Sequence, residues 1–333
     1  MRICVYGAGA VGCYTGGRLA ATGTDVVFIG RERIASQVEG NGLTVTDWRG
    51  RQLRVERPRF ETAPEAAAGA DVVLVAVKSA ATAAAGRALA PLLRPETVVV
   101  SLQNGLHNAE VLREHLPEAT VLPGVVGFNV VGRGDGHFHC AVSGALEVQR
   151  HEALTALAPA FERAGLDLVL HADLTGVQAS KLLLNLNNAI NALSGRPLKD
   201  EIGQRAYRRC WALAQREALA VFAAAAIVPA RILPLPPRWM PLLLNTPDAV
   251  FNRVAARMLA VDPLARTSMA EDLEAGRLTE VDYLNGEVVA LAERHGSTAP
   301  VNARLVELVH EAERGGRRRW SGAQLRAELA GDR

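Results

Sequence analysis

Charge of one sign, long apolar runs and paired cysteines are all scarce in this sequence, and each scarcity excludes something. The formal net charge is only +2, which argues for no polyanionic partner. The one basic run, Arg314 to Trp320, has no second basic cluster to support it. It reads as a solvated tail and not as a nucleic-acid patch. The longest uninterrupted apolar stretch, Ala218 to Val228, is stopped by Pro229. A bilayer needs about 20 apolar residues, so no membrane span is expected. The apolar run at the N-terminus is cut at Gly7, and no signal peptide is expected either. The four cysteines are scattered, with no C-x-x-C and no His/Cys metal spacing. That pattern predicts reduced thiols in a cytoplasmic protein and no metal site. No internal repeat is visible. What remains is an ordinary globular balance, 49% hydrophobic and 22% charged, over 333 residues, enough for about two domains.

The organising stretch is the first thirty residues. Arg2 to Tyr6 is a short apolar strand, and Gly7-Ala8-Gly9-Ala10-Val11-Gly12 follows without a gap. A helix from Cys13 to Ala21 and a second strand from Asp25 to Ile29 come next. Strand, glycine turn, helix, strand is the context in which G-x-G-x-x-G marks a dinucleotide site. Gly7 makes the tight turn, Gly9 lets a pyrophosphate approach the backbone, and Gly12 lets the helix pack on the strand. The helix N-terminus then favours the phosphate charge. An NAD site usually has an acid at the end of the second strand, whereas an NADP site has cations there for the 2′-phosphate. The strand-end residue is Gly30, followed by Arg31, Glu32 and Arg33. Glu32 has the spacing of a ribose-binding acid but also reads as the salt-bridge partner of its neighbours. Arg31 is therefore the expected phosphate contact and NADP(H) the expected cofactor.

Leu43 to Asp47 and Gln52 to Glu56 read as a hairpin added to the sheet. Val72 to Val77 is an unbroken β-branched run, fitting a central parallel strand. Lys78 ends it, and Asn104 ends the strand Thr97 to Leu102. Both lie at carboxyl ends of strands, where ligands of open α/β sheets bind. Asn104-Gly105 is also a plain turn signal. Thr120 to Val126 is a further strand. Phe138 to Val142 and Ala145 to Gln149 read as a second hairpin. A helix, Glu152 to Ala164, and a strand, Leu166 to Leu170, close a first domain at residue 172. The fold expected for residues 1–172 is an α/β Rossmann domain with a mostly parallel sheet. Residues 173–333 read as an all-helical domain. Its helices are Leu174 to Leu193, at the domain junction, Arg205 to Ala226, Ala249 to Leu259, Met269 to Ala275, Glu280 to His295 and Val301 to Arg314. Pro229 to Pro247 holds six prolines (229, 234, 236, 237, 241 and 247) and reads as a loop or lid.

The junction helix carries Lys181, Asn185 and Asn188 among leucines and alanines. At about 100° per residue, Asn185 lies ~40° to one side of Lys181 and Asn188 ~20° to the other. Burying a lysine without partners costs several kcal/mol, so the stripe implies a polar cavity, a ligand, or an acid on a neighbouring helix. With a carbonyl substrate there, a cation within reach stabilises the charge that builds on oxygen during hydride attack and can deliver the proton. A second constellation runs from Ser268 to Asp272 and from Thr279 to Gly286. Ser268 with Glu271 forms a capping-box pattern. Gly276 would end that helix and Thr279 would cap the next, placing Glu280 in a first turn, where it also complements the dipole.

Together these motifs resemble the ketopantoate reductase family (2-dehydropantoate 2-reductases) from residue 1 to about 310. The resemblance rests on Gly7 to Gly12, Arg31, Val77-Lys78, Ser101 to Gly105, Lys181 to Asn185, Ser268-Met269 and Thr279 to Gly286. It implies NADPH-dependent reduction of a 2-keto acid in pantothenate biosynthesis, with a helical C-terminal domain of the β-hydroxy-acid dehydrogenase type and the active site in the cleft. By that likeness Lys181 is the general acid and Glu280 lies by the lysine and the nicotinamide ribose. Asn104 lies between cofactor and substrate, and Asn185 and Ser268 hold the substrate. A small-molecule 2-keto acid is then the partner, and a homodimer is compatible with it. The chain departs from the family pattern in three places. Ala189 stands eight residues after the lysine, where an asparagine is usual, with Asn188 and Asn191 close by. Ala265, followed by Arg266, replaces an asparagine three residues before Ser268, and the Pro-rich segment is an addition. The missing amides would bind the substrate's far hydroxyl. Two other readings stand beside this one: a reductase of a different 2-keto or β-hydroxy acid, and an NADP-binding sensor without turnover.

Overall fold

The computed structural model describes residues 1–232, 234–254 and 265–331. The chain divides into two compact units, Met1–Leu174 and Thr175–Arg333, two residues beyond the expected division. The first is a mostly parallel α/β unit and the second is helical, and each is described by itself.

In chain order the first unit comprises β1 (Arg2–Tyr6), α1 (Ala10–Ala21), β2 (Asp25–Ile29), α2 (Glu32–Asn41), β3 (Leu43–Asp47), β4 (Gln52–Val55) and β5 (Arg59–Glu61). It continues with β6 (Val72–Val75), α3 (Thr82–Leu89), β7 (Val98–Ser101), α4 (Asn108–His115) and β8 (Thr120–Val126). It ends with β9 (Val130–Gly134), β10 (His137–Cys140), β11 (Leu146–Gln149), α5 (Glu152–Arg163) and β12 (Leu168–His171). The main sheet runs β12-β11-β8-β7-β6-β1-β2-β5. Every pairing in it is parallel except β8 with β11. All four residues of β6 and of β7 are buried, as β-branched strands covered on both faces must be.

Both expected hairpins are corrected. β3 and β4 do pair antiparallel, but they join a separate four-stranded sheet, β4-β3-β10-β9, and not the main one. The segment 138–149 forms no hairpin of its own. β10 pairs with β9 and with β3, while β11 pairs with β8. The true unit is a long hairpin from β8 to β11 that bends from one sheet into the other. Two glycines allow the bend: a Cβ on Gly144 would lie 2.2 Å from the Gly127 carbonyl oxygen, and one on Gly127 would lie 2.8 Å from that of Ala145. Arg18 of α1 fastens the small sheet. It is 3% exposed and donates to Asp47 Oδ2 on β3 (2.8 Å), to Tyr14 Oη (2.8 Å) and to the Ala164 carbonyl after α5 (2.7 Å). Burial alone would raise the Asp47 carboxyl, but Arg18 and the amides of Arg51 and Arg49 outweigh it and hold the group below its ordinary range.

The second unit opens with α6 (Thr175–Asn185), α7 (Asn187–Ser194), α8 (Leu198–Gly203) and α9 (Arg205–Ala224). The single helix expected over Leu174–Leu193 is thus two helices. The Leu183 carbonyl, which an unbroken helix commits to the Asn187 amide, accepts from Trp211 Nε1 (3.0 Å) and Gln215 Nε2 (3.1 Å) of α9. Side chains inserted into the ladder are a recognised cause of such breaks. The Pro-rich segment is not devoid of helix. A 3₁₀ turn covers Pro237–Trp239, and α10 covers Met240–Leu244. Pro237 and Pro241 stand in their first turns, where a missing N–H costs nothing.

Next come α11 (Asp248–Val254), α12 (Ser268–Glu274), a 3₁₀ turn at Val281–Tyr283, α13 (Asn285–Arg294), α14 (Pro300–Glu313) and α15 (Gly322–Ala330). Of the helix expected over Ala249–Leu259, residues 255–259 lie outside the described residues. The helix expected from Glu280 is a 3₁₀ turn followed, after Leu284, by α13. The tail is anchored as well as solvated. Arg314 to Arg319 are exposed, but Trp320 is 9% exposed; its amide donates to the Leu193 carbonyl (2.9 Å), and its carbonyl accepts from Tyr207 Oη (2.8 Å). No described helix is long and apolar enough to cross a membrane.

Glu201 of α8 is fully buried. Its Oε2 accepts from Asn187 Nδ2 (3.0 Å) and Asn191 Nδ2 (3.3 Å), while its Oε1 has no partner. Burial pushes this carboxyl up to about 8, against the smaller pull of the two amides and Arg208.

Two stability measurements follow. Arg18→Met leaves Asp47 buried without its cation and is expected to lower the unfolding free energy by about 3–5 kcal/mol in urea titrations. A loss under about 1 kcal/mol, the worth of an exposed pair, would contradict that role. For Glu201 the folded value lies above the unfolded one of about 4.3, so the native state holds the extra proton between the two. Stability is therefore expected to fall as pH rises from about 5 to 8, by at most ~1.4 kcal/mol per pH unit. Glu201→Gln should flatten that slope, and equal slopes in both proteins would refute the assignment.

Candidate active site

The glycine turn of the first unit is built for a phosphate. Gly7 has φ +103°, and a Cβ there would lie 2.5 Å from the Val77 amide nitrogen. The amides of Gly7 and Ala8 both donate to the Ile29 carbonyl (2.9 Å each), which stitches the turn to β2. A Cβ on Gly12 would lie 2.5 Å from the Gly7 carbonyl oxygen and 2.8 Å from Val5 Cγ1, so close packing of α1 on β1 demands glycine. Gly9 differs: a Cβ there would meet nothing within 4 Å. Open space above Gly9 is what an approaching pyrophosphate needs. No side chain caps α1, and no acid stands in its first turn. The amides of Ala10, Val11 and Gly12, which have no acceptor within the helix, then face an anion with no competitor. These residues fit a dinucleotide.

At the end of β2 a Cβ on Gly30 would lie 2.8 Å from Phe60 Cζ and 2.9 Å from Ala8 Cβ. The position of a ribose-binding acid thus has no room for any side chain. Arg31 is exposed at the N-cap of α2, and Glu32 stands in that helix's first turn. Among the described residues no ion pair joins Glu32 to Arg31 or Arg33. Its carboxylate complements the helix dipole instead.

Lys78 is exposed just after β6, and its carbonyl accepts from Ala81 in a 3₁₀ turn at Ser79–Ala81 (2.8 Å). Asn104 follows β7, and its carbonyl accepts from Ser79 Oγ (3.4 Å) and from Asn108 Nδ2. Beneath them lies a buried polar cluster that sequence reasoning missed. Thr82 Oγ1 donates to Asn108 Oδ1 (2.7 Å) and accepts from Gln103 Nε2 (2.6 Å), and Asn108 Nδ2 donates to Ser79 Oγ (3.2 Å). The cluster ties the Lys78 loop to the Asn104 loop. Its only signal in the sequence is polar residues placed just past two apolar strands.

In the second unit the accessible strip of α6 and α7 is short. Lys181, Leu184, Asn185 and Asn188 are half-buried, while Leu182, Leu183, Leu186, Asn187, Ala189 and Ile190 are buried. Asn191 is 0% exposed. Its Nδ2 donates to Glu201 and to the Arg196 carbonyl (3.1 Å), and its Oδ1 accepts from the Thr267 amide (3.1 Å) and hydroxyl (3.2 Å). It is a structural residue, and Asn188 is the second amide with access to the strip.

Ser268 does not form the expected capping box. The N-cap of α12 is Thr267, whose Oγ1 accepts from the Ala270 amide (3.3 Å). Ser268 is the exposed first residue of that helix, with its hydroxyl outside the cap. Thr279 Oγ1 accepts from the Val281 amide (3.3 Å), but the expected cap is shifted by one residue: Glu280, not Thr279, is the N-cap, and so Glu280 does not stand in the first turn. Glu280 is 9% exposed and forms the N-cap of the 3₁₀ turn. Asn285, from the same motif, packs inward and donates to Asn302 Oδ1 (3.0 Å). Glu217 caps the amides of Val301 and Asn302 behind it (2.9 and 2.8 Å). Among the described residues no group of three His, Cys, Asp or Glu side chains could hold a metal ion.

The chain matches the family model described as ketopantoate reductase PanE/ApbA over residues 3–153, and that of the family's C-terminal part over 173–313. It is 32% identical over 327 residues to a 2-dehydropantoate 2-reductase of Halobacterium salinarum, covering 95% of this chain and 100% of that one. A PanE/ApbA family ketopantoate reductase from Ralstonia eutropha superposes with a TM-score of 0.81 at 30% identity, over 95% of this chain and 99% of that one. A D-mandelate dehydrogenase solved with NADH and anilino(oxo)acetate has the same fold, with a TM-score of 0.80 at 21% identity, over 95% and 99% of the two chains. Two matched models spanning both units, with a relative at 32% identity over nearly all of both chains, place this protein in the ketopantoate reductase PanE/ApbA family, as an oxidoreductase acting between CH–OH and C=O.

Proposed function

We propose that this protein reduces 2-dehydropantoate (ketopantoate) to pantoate with NADPH, using Lys181 as general acid. The observation that carries the proposal is the strip on α6 and α7: one cation, Leu184 and two amides with access, while Leu182, Leu183, Leu186, Asn187, Ala189 and Ile190 are packed shut. The cradle for the dinucleotide is Gly7, Ala8, Gly9, Ala10, Val11 and Gly12, with Arg31 on the 2′-phosphate and Lys78 and Asn104 at neighbouring strand ends. When bound, the reduced nicotinamide supplies a hydride to C2 of the keto acid. Lys181 stabilises the charge growing on the carbonyl oxygen and passes it a proton. Asn104, Asn185, Asn188 and Ser268 bind the substrate's carboxylate and hydroxyl oxygens. Glu280 orients the lysine and the ribose.

Two features support NADP over NAD. Gly30 has no space for an acid, and Arg31 stands exposed at the start of the next helix. The substitution at position 189 also has an explanation. Ala189 is 0% exposed, so an amide there could not reach a ligand, and Asn188 supplies it from the neighbouring position. Ala265 has no such replacement, which keeps a different 2-keto acid as the second reading.

NADPH oxidation with a panel of ketopantoate, branched 2-keto acids, pyruvate and phenylglyoxylate tests both readings. Turnover fastest with ketopantoate is expected. NADPH binding without turnover of any acid would favour a sensor. Lys181→Ala is expected to lower kcat by about 100-fold or more while the Kd for NADPH holds, the usual scale for a lost general acid. An unchanged kcat removes Lys181 from the mechanism. Arg31→Ala should weaken NADPH by roughly 10- to 100-fold, the worth of a charged hydrogen bond, and NADH far less. Equal losses for both nucleotides would undo the 2′-phosphate assignment.

A further inference from the structure

The side chains proposed to bind the substrate in the helical unit stand on three helices, Asn185 on α6, Asn188 on α7 and Ser268 on α12. The last two lead back to one buried carboxyl. Glu201 Oε2 of α8 accepts from Asn187 and Asn191, which stand on either side of Asn188 in α7 and are both buried. Asn191 Oδ1 then accepts from the amide and the hydroxyl of Thr267, the N-cap of α12. Thr267 Oγ1 accepts in turn from the Ala270 amide. α8 also holds this stretch by its backbone, because the Leu198 amide donates to the Ala265 carbonyl (2.8 Å). Residues 265 and 267 are thus both tied to α8, one directly and one through Asn191, and Ser268 is the next residue along the chain.

Filling space does not require an acid at 201. An apolar side chain there would avoid the desolvation of a carboxyl. The acid leaves its own Oε1 and Asn187 Oδ1 without partners among the described residues, a cost that packing gives no reason to bear. What an apolar side chain cannot do is bring two amides of α7 to one point. A buried polar network fixes one arrangement of the elements it joins. This one joins α7, α8 and α12. Lys181 lies on α6, before the helix break, and the dinucleotide cradle lies in the other unit.

We propose that Glu201 and Asn191 are positioning residues, which hold α7 and the first turn of α12 to α8 and so set Asn188 and Ser268 for the oxygens of the 2-keto acid. This role rests on the reading of Asn188 and Ser268 as substrate contacts. It implies a split that a merely structural role does not. Substrate affinity falls when the network is cut, because Asn188 and Ser268 lose their shared anchor. The hydride and proton steps, which use the nicotinamide and Lys181, are spared.

Steady-state kinetics with ketopantoate at saturating NADPH decide. Asn191→Ala and Glu201→Leu are each expected to raise KM by roughly 3- to 10-fold, the worth of a hydrogen bond, with kcat nearly unchanged. Burial keeps the Glu201 carboxyl mostly neutral at pH 7, so Glu201→Gln is its isostere and is expected to keep KM near that of the unaltered protein. Thermal melts establish which variants fold. Thr267→Val, which removes the hydroxyl between Asn191 and α12, carries the same expectation where a core variant does not fold. Folded variants with an unchanged KM, a loss shared equally by kcat, or a Glu201→Gln as impaired as Glu201→Leu overturn the positioning role. Ser268→Ala and Asn188→Ala keep the two readings apart. If these raise KM while the variants of Glu201, Asn191 and Thr267 do not, the positioning role falls and the substrate contacts stand. If neither raises KM, or no 2-keto acid is turned over, the substrate reading itself falls and takes this role with it.

Discussion

Two N–H donors on one carbonyl shape the helical unit. Trp211 and Gln215 of α9 both donate to the Leu183 carbonyl, and the helix that bears Lys181 breaks three residues later. A buried carbonyl without a partner costs about 1–3 kcal/mol, so a break whose freed carbonyl gains two indole and amide bonds is not a weak point. The break also separates two sets of asparagines. Asn185 and Asn188 keep access with Lys181, whereas Asn187 and Asn191 turn inward to Glu201. Asn191 then reaches the N-cap of α12, at Thr267, and so fixes the first turn in which Ser268 stands. The candidate side chains of this unit thus stand on polar contacts made one layer deeper.

The first unit is governed by steric room instead. Gly7, Gly12 and Gly30 are positions where a Cβ would collide with backbone or packed side chains, and Gly9 is one where it would collide with nothing. The contrast separates glycines that the fold needs from the one that a ligand needs. It also carries the cofactor argument, because a strand end that cannot hold an acid cannot bind a ribose diol in the manner of an NAD site. The proposed extra phosphate would find Arg31 just beyond, in no ion pair with Glu32 among the described residues.

Local information is enough for the start of the chain. β1 and β2 stand where the apolar runs predict, because the glycine turn between them permits little else. β6 and β7 are legible from β-branched runs that only a doubly covered strand would carry. The small sheet is not, since β3 pairs in parallel with β10, about ninety residues away, and the hairpin feeding it bends where Gly127 and Gly144 touch. Both glycines and the strands they redirect fall within residues 120–149, but β3, whose pairing draws the hairpin into the second sheet, lies far outside that window. The helix break is hidden for the same reason, as its cause lies on α9. Ser268 and Thr267 each begin a capping pattern, and only backbone geometry separates them. The short helices α2, α4, α8 and α15 and the three-residue β5 lack the long apolar period that would mark them in the sequence.

The candidate site shows how a motif can be kept while its spacing is not. Counting eight residues from Lys181 reaches Ala189, which suggests a lost amide. Counting assumes an unbroken helix, and this one is broken. Past the break the accessible position is 188 and the position at 189 is sealed in the core. Asn188 is therefore the candidate for the usual amide, and an asparagine at 189 would be buried. That argument does not extend to position 265, whose alanine is half-buried.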